Sequence, residues 1–352
     1  MRRTFKIALT IAMAIVVCLF VALWLVFYQS NDFAGAGEKY FTVSRGQTFA
    51  LAVDSLEAQG LIENREVFIF VARILGGANR IQVGRYVFPN GISNTDLFLS
   101  LREGKRTTPI TVTLPEGLRS STQARILGRL LGIDSTRYVN LVHDEEFVRS
   151  LGFNARSLEG YLLPETYRFA WQTPEDEVIK QLVGEFRRFY DDSLQARARD
   201  LGWTTNQVLT MASIVEGEAV LDEERTRISG VYHNRLRTGM KLQADPTIQF
   251  LIDGGPRRVL YSDLRMDNPY NTYRYRGLPP GPVNNPGKAS IKASLFPEQH
   301  KYLFFVANGL GGHWFTTNYS EHMRFVRKYR KLREARLDPL TQAGKNKGLN
   351  KN

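Results

Sequence analysis

The sequence contains few of the residues that form disulfides or bind metal ions. Its 352 residues include one cysteine, Cys18, and five histidines. One cysteine cannot form an intramolecular disulfide, and a Cys-ligated metal site is excluded with it. His313 and His322 lie near each other in GGHWFTTNYSEH but form no HExxH pattern, and no zinc constellation is present. A disulfide framework and a zinc site are therefore not expected.

Familiar nucleotide, hydrolase and nucleic-acid motifs are also missing. There is no P-loop, GxSxG or dinucleotide fingerprint, and no RNP-like, zinc-finger or helix-turn-helix pattern. The charge is nevertheless positive, with 47 Lys and Arg against 35 Asp and Glu, a net +12. This excess indicates a solvated basic face or attraction to an anionic membrane surface or wall polymer. We expect no nucleic-acid partner.

One long stretch carries no charge. Ile7 to Tyr28 is apolar or weakly polar and, as a helix, would be about 33 Å long, which is enough to cross a bilayer core. Charged residues flank it on both sides: Arg2, Arg3 and Lys6 before it, Asp32 and Glu38 after it. The positive-inside rule then places residues 1–6 in the cytoplasm and everything after Tyr28 outside. We predict a transmembrane helix over 7–28 that anchors the chain in a cell membrane, with the rest on the extracytoplasmic side.

The alternative is a cleaved signal peptide. Ala34-Gly35-Ala36 offers the small residues that such cleavage needs. The apolar region is, however, longer than the roughly 7–15 residues usual for a signal peptide, which favours a retained anchor.

The exported part is predicted to fold as α+β in two domains. Residues 40–115 alternate strand and helix patterns. A strand and a turn at Arg45-Gly46 are followed by an amphipathic helix with apolar positions Leu51, Val53, Leu56 and Leu61. Further helices are predicted at 65–75 and 94–102, and strands at 80–88 and 110–114. Residues 116–335 form a larger mixed domain with helical stretches at 119–131, 136–151, 174–201 and 204–220. Beyond Val259 long ordered loops and short strands are expected. The polar, basic tail at 338–352 is predicted to be disordered.

Two glutamates follow an apolar run in MASIVEGEAV, 211–220. Residues two apart on a helix point about 200° away from each other, so Glu216 and Glu218 cannot both face one cleft. Glu218 continues the stripe of Met211 and Ile214 and emerges at the edge of an apolar face. A carboxyl there is desolvated and its pKa rises, as a general acid requires. The pattern alone also suits two solvated or ion-paired glutamates.

Three further segments carry candidate substrate-binding residues. They are EGYLLPETYRF, with Tyr161 and Glu165; HNRLRTGMKLQADPTIQF, with Asn234, Arg235, Gln243 and Asp245; and YNTYRYRGLPPGPVNNPG, with Tyr270, Asn271, Thr272 and Tyr273. Aromatic rings stack on sugar faces, and amides, carboxylates and guanidinium groups make bidentate contacts to hydroxyls and amides. Each segment is equally compatible with a structural role, as a packed strand and turn, a helix start at Asp245-Pro246, or a rigid loop.

In this order and spacing, the segments resemble the endolytic murein transglycosylase family (MltG/YceG-like). The resemblance rests on SIVEGEA, NRLRTGMKLQADPT, YNTY, GLPPGPVNNPG and YLFFVANGLGGHWFTTNYSEH, with EGYLLPETY upstream, and it covers most of 40–330. Residues 40–115 resemble that family's LysM-like module. The family's catalytic glutamate falls on Glu218. Gly217 stands where the family more often has Lys, and a helical glycine costs ~1 kcal/mol relative to Ala.

The resemblance implies a lytic transglycosylase that cuts the MurNAc–GlcNAc bond without water. One carboxyl, on Glu218, serves both proton transfers, and the product carries a 1,6-anhydro end. Glu216 and His313 join the three segments as candidate substrate-binding residues. No metal or other cofactor is expected. The implied partners are peptidoglycan strands, the membrane and the penicillin-binding synthases, beside which the enzyme would terminate growing strands.

Two alternatives stay open. A hydrolase with two carboxylates, Glu218 with Glu165 or Asp245, would leave reducing ends. A wall-binding scaffold would keep the aromatic cleft without needing a carboxyl of raised pKa.

Overall fold

The structure, a computed structural model, describes residues 2–33, 35, 37–77, 81–252, 254 and 257–348. The chain divides into two compact units. The first comprises Met1–Val112 with Arg129–Ile133 and Tyr167–Pro174, and the second comprises Thr113–Gly128, Asp134–Thr166 and Glu175–Asn352. Both mix helices with short two-stranded sheets, so the α+β prediction is confirmed.

The N-terminal helix α1, Arg2–Tyr28, is the apolar stretch that the sequence singles out. Within it, Phe5–Tyr28 is long and apolar enough to span a membrane, and none of that stretch is buried within the protein. Its last turn contacts its own unit, because Asn94 and Thr95 donate hydrogen bonds to the carbonyls of Val26 and Phe27. Ala34 and Ala36, in the possible cleavage segment, lie outside the described residues.

The rest of the first unit is a small α/β fold whose order follows the predicted one. It contains β1 (Ser30–Asn31), β2 (Glu38–Val43), α2 (Phe49–Ala58), α3 (Arg65–Ile74), β3 (Gly84–Pro89), β4 (Ile92–Ser93), α4 (Asn94–Glu103) and β5 (Ile110–Thr113), which ends in the second unit. β2 pairs antiparallel with β3, and β1 with β4. The predicted turn is present, with Gly46 at φ +79°. Buried Leu56, Phe68 and Phe98 belong to its apolar core.

The second unit is mainly helical. Its elements, some of which end in the first unit, are α5 (Ser120–Leu131), α6 (Ser135–His143), α7 (Glu145–Ser150), β6 (Thr166–Phe169), α8 (Glu175–Phe189), α9 (Asp192–Asp200), α10 (Thr205–Glu218), α11 (Arg225–Arg237), α12 (Asp245–Leu251), α13 (Lys288–Leu295), β7 (Phe304–Ala307), β8 (His313–Thr316) and α14 (Tyr319–Gly348). Met211, Ile214, Ile228 and Leu242 belong to its core.

Two predicted helices are each broken by an aspartate. Asp144 separates α6 from α7 and accepts hydrogen bonds from the backbone of Glu146 and Phe147. Asp191 separates α8 from α9 and caps α9 in the same way. An aspartate side chain that bonds the next backbone N–H groups begins a new helix at the point where the previous one ends. Apolar periodicity on both sides of each break hid it in the sequence.

Beyond Val259 the structure contains more helix than predicted. α13 and α14 are helices where loops and short strands were expected. β7 and β8 are short strands, as predicted for this region, and they pair antiparallel. α14 continues to Gly348 and so includes 338–348 of the tail for which we predicted disorder.

Candidate active site

Glu218 is the last residue of α10, a helix that lies almost wholly in the core. Thr204 caps it, and Thr204 and Gln207 form the capping box that the sequence indicates. The residues from Val208 to Val215 are all buried. At Ala219 the backbone turns extended and the helix ends, so the Glu218 carboxyl emerges from the core at the C-terminal end of a buried helix.

Gly217 allows a second helix to approach that end. A Cβ atom at this position would lie 2.6 Å from Cγ and 2.7 Å from Cβ of Pro246, too close for any larger residue. Pro246 stands in the first turn of α12, directly after Asp245. The glycine that weakens α10 by local propensity is therefore required by packing, and the approach brings Asp245 next to Glu218.

The Glu218 carboxyl is partly buried and held by two donors. The Tyr232 hydroxyl, on α11, donates to its Oε1 at 3.1 Å, and the backbone N–H of Asp245 donates to the carboxyl as well. Burial, followed by the nearby negative charge of Asp245, raises the pKa of Glu218 to about 7. Tyr232 is itself fully buried, and burial raises the pKa of its hydroxyl, so it remains a proton donor. A carboxyl of this pKa changes protonation near neutral pH, as a general acid–base requires.

Asp245 is the second carboxylate beside Glu218. The Tyr273 hydroxyl donates to Asp245 Oδ1 at 2.5 Å. Burial, and the bond to Asp245, raise the pKa of Tyr273.

Glu218 and Asp245 line two cavities, which meet at these carboxylates. The larger has a volume of about 830 Å³ and is lined also by Arg119, Arg125, Gly217, Pro246, Phe250, Val283 and Asn284. The smaller has a volume of about 320 Å³ and is lined also by Arg235, Gln243, Tyr273, Phe304, Phe305, Tyr319 and His322. We call them the large arm and the small arm of one cleft. A carboxyl between two arms can act on a bond whose chain continues in both directions.

Five of the predicted site residues meet in this cleft: Glu218, Arg235, Gln243, Asp245 and Tyr273. The Arg235 guanidinium donates to the carbonyls of Leu303 and Leu242, which fixes its position. Gln243 has a φ of +51°, an uncommon backbone conformation for a residue other than glycine. Its backbone N–H donates to the carbonyl of Thr272, which holds this strained turn in place.

Three predicted residues do not line the cleft but contact the loops and side chains next to it. Thr272 Oγ1 accepts a hydrogen bond from the backbone N–H of Ala244, and the Asn271 amide donates to two carbonyls in its own loop. The Tyr270 ring packs on Phe250, with 4.8 Å between ring centroids, and Phe250 lines the large arm.

Five predicted residues line neither arm, and their contacts explain why. Glu216 pairs with Arg225 at 3.2 Å and accepts from the backbone N–H of Gly287, and its side chain is only 7% exposed. The two glutamates thus face opposite ways, as helical geometry predicts. The others are also bound elsewhere: Tyr161 in an aromatic core with Phe153 and Phe186, Glu165 to Lys288, Asn234 to the carbonyls of His300 and Tyr302, and His313 to Glu224. The side chains of these five residues are thus held by other groups of the protein.

Tyr232, which bonds Glu218, and Asn284, which lines the large arm, are among the site residues that the sequence analysis did not single out. Tyr232 lies one helical turn before Arg235 on α11, so the spacing of the two could have suggested it. Asn284 lies in the GLPPGPVNNPG segment, but the segment alone did not show which of its residues would line the cleft, because that depends on how the loop packs against α10.

A metal site is not evident in the part of the chain that the structure describes. No three His, Cys, Asp or Glu side chains come together there in a group that could hold an ion.

Comparisons with known proteins identify the family of the chain. A sequence model of the YceG-like family matches residues 41–328. The chain is 30% identical over 302 residues to an endolytic murein transglycosylase of Bacillus subtilis, with 82% of this chain and 83% of the relative covered. It is 29% identical over 329 residues to the endolytic murein transglycosylase of Streptococcus pneumoniae serotype 2, covering 83% of this chain but only 59% of that longer relative.

A solved structure agrees as well. The crystal structure of a YceG-like protein from Listeria monocytogenes superposes with a TM-score of 0.60 at 27% identity, covering 82% of this chain and 98% of that one. The sequence match spans both compact units and includes the helix that carries Glu218. The chain belongs to the YceG-like family.

Proposed function

We propose that this chain is an endolytic murein transglycosylase, which cuts the β-1,4 bond between MurNAc and GlcNAc within peptidoglycan strands. The observation that carries the proposal is the Glu218 carboxyl, whose burial raises its pKa to about 7 and which stands where the two arms of the cleft meet. The names of the relatives from Bacillus subtilis and Streptococcus pneumoniae point to the same activity.

In the first step Glu218 acts as the acid. Its protonated carboxyl donates the proton to the oxygen between the two sugars, the bond from C1 of MurNAc to that oxygen breaks, and GlcNAc leaves with a 4-hydroxyl. The positive charge that develops at C1 is stabilised by the sugar's own 2-acetamido oxygen. The Tyr232 hydroxyl and the Asp245 N–H stabilise the carboxylate that remains.

In the second step the same group acts as the base. The Glu218 carboxylate takes the proton of the MurNAc 6-hydroxyl, and O6 bonds to C1 to close a 1,6-anhydro ring. The carboxyl is then protonated again, so the cycle needs neither water nor a second carboxylate. Phe304, Phe305 and Tyr273 in the small arm supply ring surfaces that keep water from C1.

One observation favours a second candidate, a hydrolase with two carboxylates. Asp245 lies beside Glu218 and lines both arms, so it is placed to activate a water molecule. Glu165 is not placed for this, because it pairs with Lys288 and lines neither arm. A hydrolase of this kind would leave reducing ends.

Mass spectrometry of digested, purified glycan distinguishes the candidates. Anhydro ends support the transglycosylase, reducing ends the hydrolase, and an absence of cleavage by the folded protein supports a wall-binding scaffold. New ends inside long strands, measured as a rapid fall in mean strand length, support endolytic cutting.

We also propose that α1 is a retained membrane anchor and that the chain after Tyr28 is periplasmic. Phe5–Tyr28 has the length and composition for one span, and basic residues precede it. Anchoring would place the cleft near newly made glycan, where cutting terminates strand elongation beside the penicillin-binding synthases. Cell fractionation, with protease added from the outside, tests both points. A soluble mature chain that begins near Gly37 would contradict the anchor.

We further propose that residues 40–115 are a LysM-like module and 116–335 the catalytic domain. The small α/β fold over β2 to β5 has the helices and strands that such a module needs, and the large arm, the small arm and Glu218 all lie in the second unit. Binding of the intact chain to long peptidoglycan strands, with substitutions confined to exposed residues of 40–115, tests the module's role.

A further inference from the structure

Helix α3 of the first unit carries large apolar side chains on two sides. Phe68 and Ala72 are fully buried in the core of that unit. Phe70 and Ile74 lie on the outward side, one helical turn apart, and are 44% and 61% exposed. The outward side of a helix that faces water normally carries polar residues. Two large apolar residues there indicate a second surface of contact.

The end of the membrane-spanning stretch lies beside the outward side of α3. Phe27, in the last turn of α1, contacts Phe70 with 6.5 Å between the ring centroids. Gln29, which follows α1, donates from Nε2 to Oε2 of Glu63 at 2.9 Å, and Glu63 lies just before α3 begins. The start of α3 therefore lies where the chain leaves α1, and the later part of α3 lies nearer the bilayer.

The last turn of α1 is joined firmly to the first unit. Asn94 and Thr95 of α4 donate to the carbonyls of Val26 and Phe27, and β1, which follows α1, pairs with β4. All these elements belong to the same compact unit as α3. The outward side of α3 is therefore held at a set height beside the end of the span.

A basic side chain accompanies the two apolar ones. Arg73 is exposed in the last turn of α3, three residues after Phe70 and so on the same side. Within the part of the chain that the structure describes, its guanidinium makes no ion pair. An arginine at a membrane surface lays its carbon chain along apolar groups and keeps its charge among the headgroups. Apolar side chains with a positive charge beside them are typical of a helix at such a surface.

We propose that the outward face of α3, formed by Phe70, Arg73 and Ile74, contacts the lipid surface beside α1. Phe70 and Ile74 enter the boundary between headgroups and acyl chains, and Arg73 lies against the lipid phosphates. The inference goes beyond the proposed activity and rests on the proposed anchoring by α1. This second point of attachment keeps the first unit from turning freely about a single helix.

The test uses the full chain in vesicles of phosphatidylethanolamine and phosphatidylglycerol, with one spin label at a time. Cys18→Ser removes the native thiol. The label is then attached at Ile74→Cys or, as the matched control, at Glu66→Cys, which is exposed and lies two turns earlier on α3. Power saturation measures how often each label collides with oxygen, which concentrates in lipid, and with a nickel chelate, which stays in water. Thermal unfolding checks that each labelled chain is folded.

We expect the label at Ile74→Cys to lie about 5–10 Å into the boundary between headgroups and acyl chains, the usual depth for the apolar face of an interfacial helix. It should collide more with oxygen than with the nickel chelate, and the label at Glu66→Cys should show the reverse. Adding Phe70→Ser should move the Ile74→Cys label toward water. Leu51→Ser, the same kind of change at a residue that is 56% exposed on α2, should leave its depth unchanged.

Three results overturn the contact. They are equal collision with the nickel chelate at Ile74→Cys and Glu66→Cys, equal depth of both labels in lipid, and an Ile74→Cys label shielded from both reagents, which would mean that a protein covers the face. If Ile74→Cys does not fold, Phe70→Cys takes its place with the same expected contrast to Glu66→Cys.

A label on Cys18 of the otherwise unchanged chain tests the anchor separately. Cys18 lies well inside the apolar stretch Phe5–Tyr28, so its label should meet oxygen and not the nickel chelate. If it meets the nickel chelate, α1 does not span the membrane and the proposed anchoring fails. If Cys18 lies in lipid and the Ile74→Cys label lies in water, only the contact of α3 is refuted.

Discussion

The burial of the Glu218 carboxyl lowers the stability of the fold when this group is ionised. Burial is the main cause of its raised pKa, and the charge of Asp245 adds to it, whereas the Tyr232 hydroxyl and the Asp245 N–H act in the opposite direction. The two donors lower the free energy of the carboxylate once the proton has left. A group that acts first as an acid and then as a base within one cycle needs both the burial that raises its pKa and the donors that stabilise its ionised form.

Glu218→Gln should abolish cutting while the protein stays folded. Glutamine keeps the shape of the side chain but cannot pass a proton, and loss of a general acid–base typically lowers the rate about 10²–10⁴-fold. The cutting rate is measured as the release of anhydro-muropeptides from purified glycan. Glu216→Gln is the control: it breaks the buried pair with Arg225 and should lower stability by up to about 3 kcal/mol with a milder effect on rate. A dead Glu216→Gln and an active Glu218→Gln would show that the acid is misassigned.

Glu218→Gln should also stabilise the protein at high pH. The folded chain holds the Glu218 proton between its ordinary pKa of 4.5 and about 7, and the unfolded chain does not. Stability therefore falls as pH rises through this window, and the ionised carboxylate destabilises the fold above it by about 1–3 kcal/mol. Denaturant unfolding should show Glu218→Gln more stable than wild type at pH 8 and equal to it at pH 4. The same difference at both pH values would exclude a raised pKa.

Tyr232→Phe should move the pH dependence of kcat/KM. Wild type should lose activity as pH rises through about 7, where Glu218 loses its proton. The Tyr232 hydroxyl favours the carboxylate, so its removal raises the pKa of Glu218 further and moves the alkaline limb to higher pH. An unmoved limb would mean that Tyr232 only packs.

At the scale of elements, the site depends on how closely α10 and α12 approach. The contact between Gly217 and Pro246 brings the first turn of α12 to the last turn of α10, and the chain then presents Glu218 and Asp245 side by side. The strained turn at Gln243, just before α12, is held by the loop at Thr272. Two helix ends and one loop thus set the geometry of the carboxylates.

Gly217→Ala should separate the two helices. Alanine favours helix by about 1 kcal/mol, but its Cβ would collide with Pro246, so we expect a net destabilisation of about 1–3 kcal/mol and a large loss of kcat. Gly184→Ala is the matched control, because this glycine of α8 has open space around its Cβ position. It should stabilise the protein slightly and leave the rate unchanged. Equal thermal shifts for both variants would contradict the close approach.

At the scale of the whole molecule, the first compact unit contains more than the N-terminal part of the chain. The first compact unit includes Arg129–Ile133 and Tyr167–Pro174 as well as the chain up to Val112. Gln172, for example, bonds the backbone N–H and the guanidinium of Arg45. The unit is thus assembled from segments that the sequence assigned to two domains.

A chain that starts near Thr113 should therefore lose stability as well as substrate engagement. Removing residues 1–112 deprives Arg129–Ile133 and Tyr167–Pro174 of the rest of their unit. We expect a lower melting temperature and weaker cutting of polymeric glycan than in a chain that lacks only residues 1–28. If the truncated chain matches that control in both, the module has another role.

Local patterns determined much of this protein from the sequence alone. The apolar run of α1, the capping box of α10, the turn at Gly46 and the opposite facing of Glu216 and Glu218 all follow from interactions within a few residues. The family resemblance rests on motifs whose order is visible in the sequence, and the family model spans the same region.

Tertiary packing decided the rest. Whether a glutamate pairs with Arg225 or stands in a cleft, and whether Asn284 or Asn285 lines that cleft, depends on residues 9 to more than 100 positions away along the chain. The need for Gly217 is of the same kind, since its cause is Pro246 on another helix. Desolvation and hydrogen bonding depend on which groups meet in space, and a sequence pattern describes only the groups that meet along the chain.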